Sequence, residues 1–230
     1  MKNVNSIAEQ AYWKIKRDIL TCELEAGAQI VQSQLVERYQ MGITPIREAL
    51  KRIEQEGYLQ SIPRYGYVIS PITIADVQNI YELRLILEKP SVQLAITRAP
   101  DSTLEKIRES ADFTYQYRDR ESYLKFLSMN TAFHVSIAQA SENKKLADMI
   151  ARTLDEMTRI FNLGLDLRDS GDEMRREHIL LANALLKRDA ELAEQILHDQ
   201  ITRSQERVIE RLVERISNAP IPRVGIDFTL

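Results

Sequence analysis

The sequence predicts a mainly α-helical protein built in two parts. Glycine and proline are scarce, with seven of each in 230 residues, which favours long helices with few tight turns. Apolar residues recur every three or four positions over most of the chain, as on one face of an amphipathic helix. The pattern changes near residues 70–73, because two short strand-like segments precede this point and helical segments follow it. We therefore expect a small N-terminal domain over residues 1–72 and an all-helical bundle over residues 73–218.

The composition excludes several classes of protein. Hydrophobic residues make up 44% of the chain and charged residues 28%, a mixture typical of soluble globular proteins. The single cysteine, Cys22, excludes an internal disulfide and a cysteine-cluster metal site, and it suits a reducing cytoplasm. A representative apolar run, residues 179–182, is far shorter than the roughly twenty residues that cross a bilayer. Residues 1–16 lack the apolar core of a signal peptide, so we expect a cytoplasmic protein.

Each helix of the N-terminal domain has its own signal. The first spans residues 6–22, with apolar side chains at three- and four-residue spacing. A second, short helix starts near Ser33, a suitable N-cap. The third has the clearest boundaries, because Thr44 can cap it, Pro45 suits its first position and Gly57 can end it.

The third helix and a hairpin complete this domain. The inward face of the helix carries apolar residues at i, i+3, i+4 and i+7, which are Ile46, Ala49, Leu50 and Ile53. Residues 58–62 and 67–69 have the pattern of short strands, and a turn over residues 63–66 joins them. Three helices and a hairpin in about seventy residues is the plan of a winged helix-turn-helix DNA-binding domain.

The outward face of the third helix carries side chains suited to DNA. Arg47 can donate a fork to guanine or phosphate, and Lys51 can place a charge against the backbone. The hairpin tip suits a wing that enters the minor groove. The alternative is that these charges are only the solvated side of an amphipathic helix, and the net charge of −3 does not decide between the two. The candidate DNA contacts are Thr44, Arg47, Lys51, Arg64, Tyr65 and Gly66.

Six amphipathic segments predict the helical bundle that follows. They lie near residues 74–98, 101–118, 121–140, 144–167, 171–187 and 189–217. The last residues, 219–230, contain two prolines and are typical of a loose tail or of an arm that reaches a partner subunit.

One run in the N-terminal domain resembles a known family. Residues 44–50 are Thr-Pro-Ile-Arg-Glu-Ala-Leu, and Leu59 and the Gly-Tyr-Val run at 66–68 follow them. Over residues 8–70 the chain closely resembles the DNA-binding domain of the GntR family of bacterial transcription regulators. The resemblance implies that Thr44, Arg47, Tyr65 and Gly66 contact DNA, whereas Arg64 and Lys51 rest on charge and exposure alone.

Two positions before that run depart from the family. The family usually has Ser-Arg there, and this chain has Gly42 and Ile43. The missing arginine often reads a base in the family, so the usual operator sequence does not carry over. Ile43 can instead contact a thymine methyl group.

The helical part carries further motifs, at residues 81–84 with Glu88 and at residues 130–134, 140–143 and 177–185. In order and spacing they are similar to the all-helical effector domain, called FCD, of the FadR-like branch of the same family. The resemblance implies a bundle that encloses a pocket for a small molecule, often an organic acid. Many members hold a divalent metal there, through Asp-x-x-x-His on one helix and a histidine on each of two later helices.

The matching positions in this chain form a weak metal site. They carry Asn130, His134, His178 and Gln200, and Gln200 stands in for the last histidine because His198 falls on an exposed face. Two imidazoles and two amides without an anionic ligand bind zinc or nickel weakly, and the candidate metal ligands are Asn130, His134 and His178. The alternative is that both histidines are core or ligand-facing groups with hydrogen-bond partners.

Arg84 lies on the inward stripe of the first helix of the bundle, where a guanidinium needs a partner. Glu88, one turn later, can form a structural ion pair with it, or Arg84 can receive an effector carboxylate as a bidentate fork. The ion pair and the carboxylate contact can both occur, each in a different ligation state of the protein. Arg152 and Arg159, on a later helix, can be further anion contacts, but we expect surface roles for them. The candidate effector contacts are Arg84, Asn130, His134, His178 and Gln200.

Two functions are consistent with these features. The first is a homodimeric transcription regulator, expected to be a repressor, that binds double-stranded operator DNA and responds to a small carboxylate metabolite. The second is a metal-dependent enzyme that uses the histidine pocket. No nucleophile–base pair or nearby carboxylate accompanies the two histidines in these motifs, so we expect the regulator and no catalytic residues.

Overall fold

The structure, a computed structural model, describes residues 6–165 and 167–217. The N-terminal part contains α1 (Ile7–Leu20), β1 (Gln29–Ile30), α2 (Gln32–Tyr39), α3 (Ile43–Gln55), β2 (Leu59–Ile62) and β3 (Gly66–Ile69). The part that follows contains α4 (Ile74–Arg98), α5 (Asp101–Glu109), α6 (Arg120–Ala140), α7 (Lys144–Leu165), α8 (Gly171–Leu186) and α9 (Ala190–Ser217). The prediction of a mainly α-helical chain with a winged helix-turn-helix domain and a helical bundle is confirmed.

The winged domain has its own core and a small antiparallel sheet of order β1-β3-β2. Strand β1, which the sequence did not predict, has two residues, too few to show an alternating pattern, and it pairs Gln29 with Val68 of β3. Gly66 begins β3 with a left-handed φ of +101°. A Cβ there would lie 2.7 Å from the carbonyl oxygen of Ile30, so this pairing of β1 with β3 requires glycine.

Several predicted helix boundaries were wrong. Thr44 does not cap α3, because Gly42 is the N-cap and Thr44 and Pro45 lie within the first helical turn. Proline is tolerated throughout that turn, so its position did not define the first helical residue. Ser33 does not cap α2, which begins one residue earlier, where the side chain of Gln34 accepts a hydrogen bond from the Val31 N–H at 3.2 Å. The expected end of α3 is confirmed, since Gly57 follows it with a φ of +81°.

The helical domain is a bundle in which α4 packs against α6, α7 and α9. The helix predicted over residues 101–118 was wrong in its second half, because α5 ends at Glu109. The chain then crosses the bundle in irregular form and buries Phe113 and Tyr115, whose rings lie 5.5 Å and 5.0 Å from the ring of Phe126. Burial of these two aromatic rings takes the place of further helix. The predicted tail, residues 219–230, lies outside the described residues, within which no helix is long and apolar enough to cross a membrane.

The two domains contact each other through α7, the start of α6 and the turn after α1. The first helix ends at Leu20, not at Cys22, which has a left-handed φ of +59° and is buried in the core of the helical domain. The side chain of Asn162 donates a hydrogen bond to the Leu20 carbonyl at 2.9 Å. Arg159 donates one to the carbonyl of Ser70 at 2.5 Å. Arg159 is buried, so the surface role expected for it was wrong.

Candidate functional site

The outward face of α3 carries cations that are free to bind DNA. Arg47 and Lys51 are exposed, and neither has an ion-pair partner within residues 6–165 and 167–217. Arg52 on the same helix differs, because it pairs with Glu9 at 2.9 Å and its guanidinium lies 3.6 Å from the ring centre of Tyr12. The helix therefore separates two exposed, unpaired cations from one that is fixed to α1.

The start of α3 and the tip of the hairpin are both exposed to solvent. Ile43 and Thr44 are exposed in the first turn of α3, and the N-cap makes no side-chain hydrogen bond. Arg64 lies at the hairpin tip with a left-handed φ of +66°, and the neighbouring Tyr65 side chain is exposed. The Tyr65 carbonyl accepts a hydrogen bond from the Gln29 side chain at 2.5 Å, which holds the wing against β1.

A second site lies inside the helical domain, where three predicted residues form one charged cluster. The Nε of Arg84 donates a short hydrogen bond to a carboxylate oxygen of Glu88, one turn away on α4. Nη2 of Arg84 lies 3.0 Å from Nε2 of His134 on α6. The other ring nitrogen of His134, Nδ1, lies 2.7 Å from the second oxygen of Glu88. Because no nearby carboxylate had been expected, Glu88 beside His134 corrects that point.

The contacts fix the charge states of the cluster. Arginine can only donate, so Nε2 of His134 must accept, and the proton of the neutral ring is on Nδ1, beside Glu88. Burial lowers the pKa of His134, although the charge of Glu88 opposes the effect. Burial disfavours the charged form of Glu88 too, yet Arg84 and His134 together hold its pKa at about 2. The cluster therefore holds one cation, one anion and one neutral imidazole at neutral pH.

His178 belongs to the same buried region but has different partners. Its Nε2 lies 3.0 Å from Oδ1 of Asn130 and, with the amide in that orientation, donates to it. Its ring lies 4.6 Å from the ring of Phe113, and burial is the main reason why its pKa falls well below 6.5. The alternative proposed for the histidines, buried groups with hydrogen-bond partners, is therefore what the geometry presents.

A small cavity lies next to this cluster, enclosed by α4, α6, α7, α8 and α9. Its volume is about 20 Å³, enough for about one water molecule. Its polar lining consists of Arg84, Asn130, Gln200, Ser204 and Arg207. Three of the five predicted effector contacts therefore line one cavity, while His134 and His178 lie behind them.

Two polar residues of the cavity wall, Ser204 and Arg207, were not predicted from the sequence, and Arg207 is the charged one. Only 6% of it is exposed, and its Nη1 and Nη2 have no hydrogen-bond partner in the part of the chain that is described. Oε1 of Gln200 also has no hydrogen-bond partner among the described residues, whereas the hydroxyl of Ser204 forms a hydrogen bond with the hydroxyl of Tyr81 at 2.8 Å. Gln200, Ser204 and Arg207 follow one another at i, i+4 and i+7, so the helical spacing alone could have placed Arg207 on the pocket face.

The residues at the candidate metal positions do not fit a divalent cation. Nε2 of His134 faces the guanidinium of Arg84, and Nε2 of His178 is bonded to Asn130. A metal ion bound between them would lie against a fixed positive charge with no carboxylate ligand in the set. Among the described residues, no group of three or more His, Cys, Asp or Glu side chains could hold a metal ion.

Comparison with known proteins agrees with this arrangement of domains. Residues 7–69 match the family described as bacterial regulatory proteins, gntR family, and residues 79–203 match the FCD domain. The uncharacterized HTH-type transcriptional regulator YdhC of Bacillus subtilis (strain 168) is 28% identical over 189 residues, which cover 81% of this chain and 84% of YdhC. The HTH-type transcriptional repressor RspR of Escherichia coli (strain K12) is 21% identical over 202 residues, which cover 88% of this chain and 89% of RspR.

Solved structures share the fold. McbR/YncC of E. coli superposes with a TM-score of 0.65 at 21% identity, over 90% of this chain and 99% of McbR. A transcriptional regulator from Rhodococcus sp. RHA1, titled a putative GntR, gives 0.66 at 14% identity, over 88% of this chain and 97% of that one. With both domains matched in order along the chain, this protein belongs to the GntR family of bacterial transcription regulators and carries an FCD domain.

Proposed function

We propose that this protein is a homodimeric repressor that binds operator DNA through α3 and the wing, and that a small carboxylate in the helical-domain cavity changes its operator affinity. One observation carries the proposal: α7 lines the cavity and also holds the winged domain. Phe161, Gly164 and Leu165 of α7 line the cavity. Asn162 and Arg159, on the same stretch of helix, donate hydrogen bonds to carbonyl groups of the winged domain and of the segment that ends it.

The size of the cavity links ligand binding to movement. A space of about 20 Å³ holds about one water molecule, so a carboxylate of several heavy atoms enters only when a wall moves. The wall formed by α7 is packed closely on α9, since a Cβ on Gly164 would lie 3.1 Å from a side-chain methyl of Val208. A ligand that separates α7 from α9 therefore shifts the residues that position the winged domain.

This arrangement supports regulation by a shift between two states. A ligand that favours one position of α7 favours one spacing of the two recognition helices in the dimer. Half-sites about 10 base pairs apart accept only a narrow range of spacings. A coupling free energy of about 1–3 kcal/mol is typical of such regulation.

The enzyme alternative required the two histidines to hold a metal and act on a substrate. Both are engaged by protein partners, His134 by Arg84 and His178 by Asn130. Neither histidine lines the cavity. The geometry therefore favours a binding pocket over a catalytic one.

The test is selection of bound sequences from a random duplex library by the full-length protein and two variants. We expect the wild type to recover an inverted repeat, Arg47→Ala to lose the enrichment, and Arg52→Ala to keep it. Arg52 is the matched control because it is an arginine on the same helix that is held by Glu9. If Arg47→Ala recovers the same repeat as the wild type, α3 does not read DNA in the way proposed.

A further inference from the structure

We infer that the cavity is a metal-independent anion site in which Arg207 receives the carboxylate group of a short monocarboxylate. The inference rests on the proposed function, because it names the chemistry of the pocket that regulates DNA binding. It differs from the pocket expected from the sequence, in which Arg84 and a metal were the candidate receptors.

The guanidinium of Arg207 has no hydrogen-bonded counter-ion within residues 6–165 and 167–217. It is buried, it cannot lose its proton, and its two terminal nitrogens lack hydrogen-bond partners among the described residues. In the described part of the chain, the nearest carboxylate oxygen is Oε1 of Glu173, 3.9 Å from Nη1 and equally far from Nε of Arg203, while the other oxygen of Glu173 lies 3.0 Å from Arg168. A buried charge in this state is costly in free energy unless something pairs with it.

The other guanidinium in the cavity wall is already used. Nε and Nη2 of Arg84 are engaged by Glu88 and His134, so that pair is neutral overall. Because both histidines are neutral, Arg207 supplies the cavity, among the described residues, with a positive charge to which no carboxylate is hydrogen-bonded. One unpaired cation with a forked geometry matches one carboxylate, which accepts two parallel hydrogen bonds from it.

Arg84 also explains why no metal is needed. Its guanidinium occupies the side of His134 at which a metal would bind, and Asn130 stands where the family has an acidic ligand. The positive charge that a metal would supply to an anion is supplied here by the chain itself. The rest of the wall is largely apolar, with Phe126, Leu127, Phe161, Leu165 and Met174, which favours a short hydrocarbon body over a second charged group.

The experiment measures thermal unfolding of the full-length protein without DNA, in sodium propionate against sodium chloride at equal ionic strength. Propionamide is the uncharged probe of the same shape, and each series is repeated after dialysis against a chelator. We expect propionate to raise the unfolding midpoint, by roughly 3–6 °C at ten times its dissociation constant. Propionamide should have no such effect, and chelation should not change the result.

Two variants on α9 assign the site. Arg207→Gln removes a buried charge whose terminal nitrogens have no hydrogen-bond partner among the described residues, so it should fold at least as stably as the wild type and lose the response to propionate. Arg203→Gln is the matched control, because Arg203 pairs with Glu177 at 2.7 Å and does not line the cavity, and it should keep the response.

Three results would overturn the inference: no response in the wild type, an equal response in Arg207→Gln, or a response that chelation removes and zinc restores. The first two contradict the carboxylate site on Arg207, and the third contradicts its independence from metal. Because no DNA is present, these failures leave the sequence selection untouched. Loss of sequence selection would equally leave a propionate response intact, so the two proposals fail separately.

Discussion

Both candidate sites depend on an arginine whose terminal nitrogens have no hydrogen-bond partner among the described residues, Arg47 on the DNA face and Arg207 in the cavity, and the two differ in their surroundings. Arg47 is exposed, so water solvates its charge at no cost until DNA arrives. Arg207 is buried and has lost that water. An unpaired cation on a surface is common and indicates little alone, whereas a buried cation without hydrogen-bond partners is uncommon and requires a physical explanation.

Arg84 adds a third case, a buried cation whose partners are all within the protein. Glu88 balances its charge and His134 accepts a hydrogen bond from it, both without a ligand. The three arginines thus differ in role: Arg47 is proposed to bind DNA, Arg84 forms a structural ion pair, and Arg207 is proposed to bind an anion. Solvent exposure and partners, not residue type, separate the three roles.

The largest effect that separates these cases is expected for Glu88→Gln. The change leaves Arg84 buried without a counter-ion, and breaking one side of a buried pair typically costs about 3–5 kcal/mol of unfolding free energy. Urea unfolding measures it. Glu48→Gln, on the exposed face of α3, is the control and should change the free energy of unfolding by less than about 0.5 kcal/mol. A loss for Glu88→Gln as small as that of the control would show that Arg84 finds another partner or water.

A smaller effect is expected on the DNA face, and it changes the free energy of DNA binding and not that of unfolding. Arg47→Ala should weaken operator binding by about 1–3 kcal/mol and relax base preference at one position in each half-site, as expected for loss of a bidentate base contact. Lys51→Ala should weaken binding to all sequences alike and reduce the slope of log affinity against log salt by about 1. Titrations at several salt concentrations measure both. If the two variants behave alike, Arg47 contacts phosphate and not a base.

The sequence predicted the DNA face better than the cavity, for a physical reason. An exposed recognition helix is defined by local signals, namely apolar spacing on one side and charges on the other, so Arg47 and Lys51 could be placed from α3 alone. Whether the guanidinium of Arg207 has a hydrogen-bond partner depends on the side chains of α4, α6, α7 and α8 as well as on its own helix. Helical spacing could place it beside Gln200, but no local pattern shows that a side chain lacks a partner.

The same reason explains the errors in the fold. Thr44 is a good N-cap residue, but the chain before α3 already turns into the helix at Gly42. Residues 110–118 were included in a predicted amphipathic helix, yet they are not helical and Phe113 and Tyr115 are buried in the core. Arg159 has the charge of a surface residue, and a carbonyl of another segment holds it in the core.

A third prediction uses pH to separate the buried cluster from the exposed face. Burial lowers the pKa values of His134 and His178, so the unfolded chain binds more protons than the folded chain below pH 6.5. Their contribution to stability is complete above pH 6.5 and falls as the pH is lowered towards 5, by at most about 1.4 kcal/mol per pH unit for each histidine. Glu88, with a folded pKa of about 2, adds a second loss below about pH 4.5.

Urea unfolding at pH 7.5, 6.5 and 5.5 tests the histidine part. His178→Gln should make the decrease between pH 6.5 and 5.5 shallower than in the wild type, because one of the two protonation steps is removed. An equal decrease in both proteins would mean that His178 is protonated as easily in the folded chain as in the unfolded one.

The smallest expected effect concerns the link between the two sites. Asn162→Ala removes the hydrogen bond to the Leu20 carbonyl but no cavity-lining side chain. A net hydrogen bond contributes about 0.5–1.5 kcal/mol. We expect the coupling between propionate and operator binding to decrease by about that amount, with each separate affinity close to that of the wild type.

Asn183→Ala is the control for this coupling. Asn183 accepts one side-chain hydrogen bond, from Arg108 at 3.1 Å, and both residues lie within the helical domain. Operator titrations with and without propionate should give wild-type coupling for this variant and weaker coupling for Asn162→Ala. If both variants keep the wild-type coupling, the contact of α7 with Leu20 does not transmit the signal. The hydrogen bond from Arg159 to Ser70 would then be the next α7 contact to change, because it joins the same wall of the cavity to the end of the winged domain.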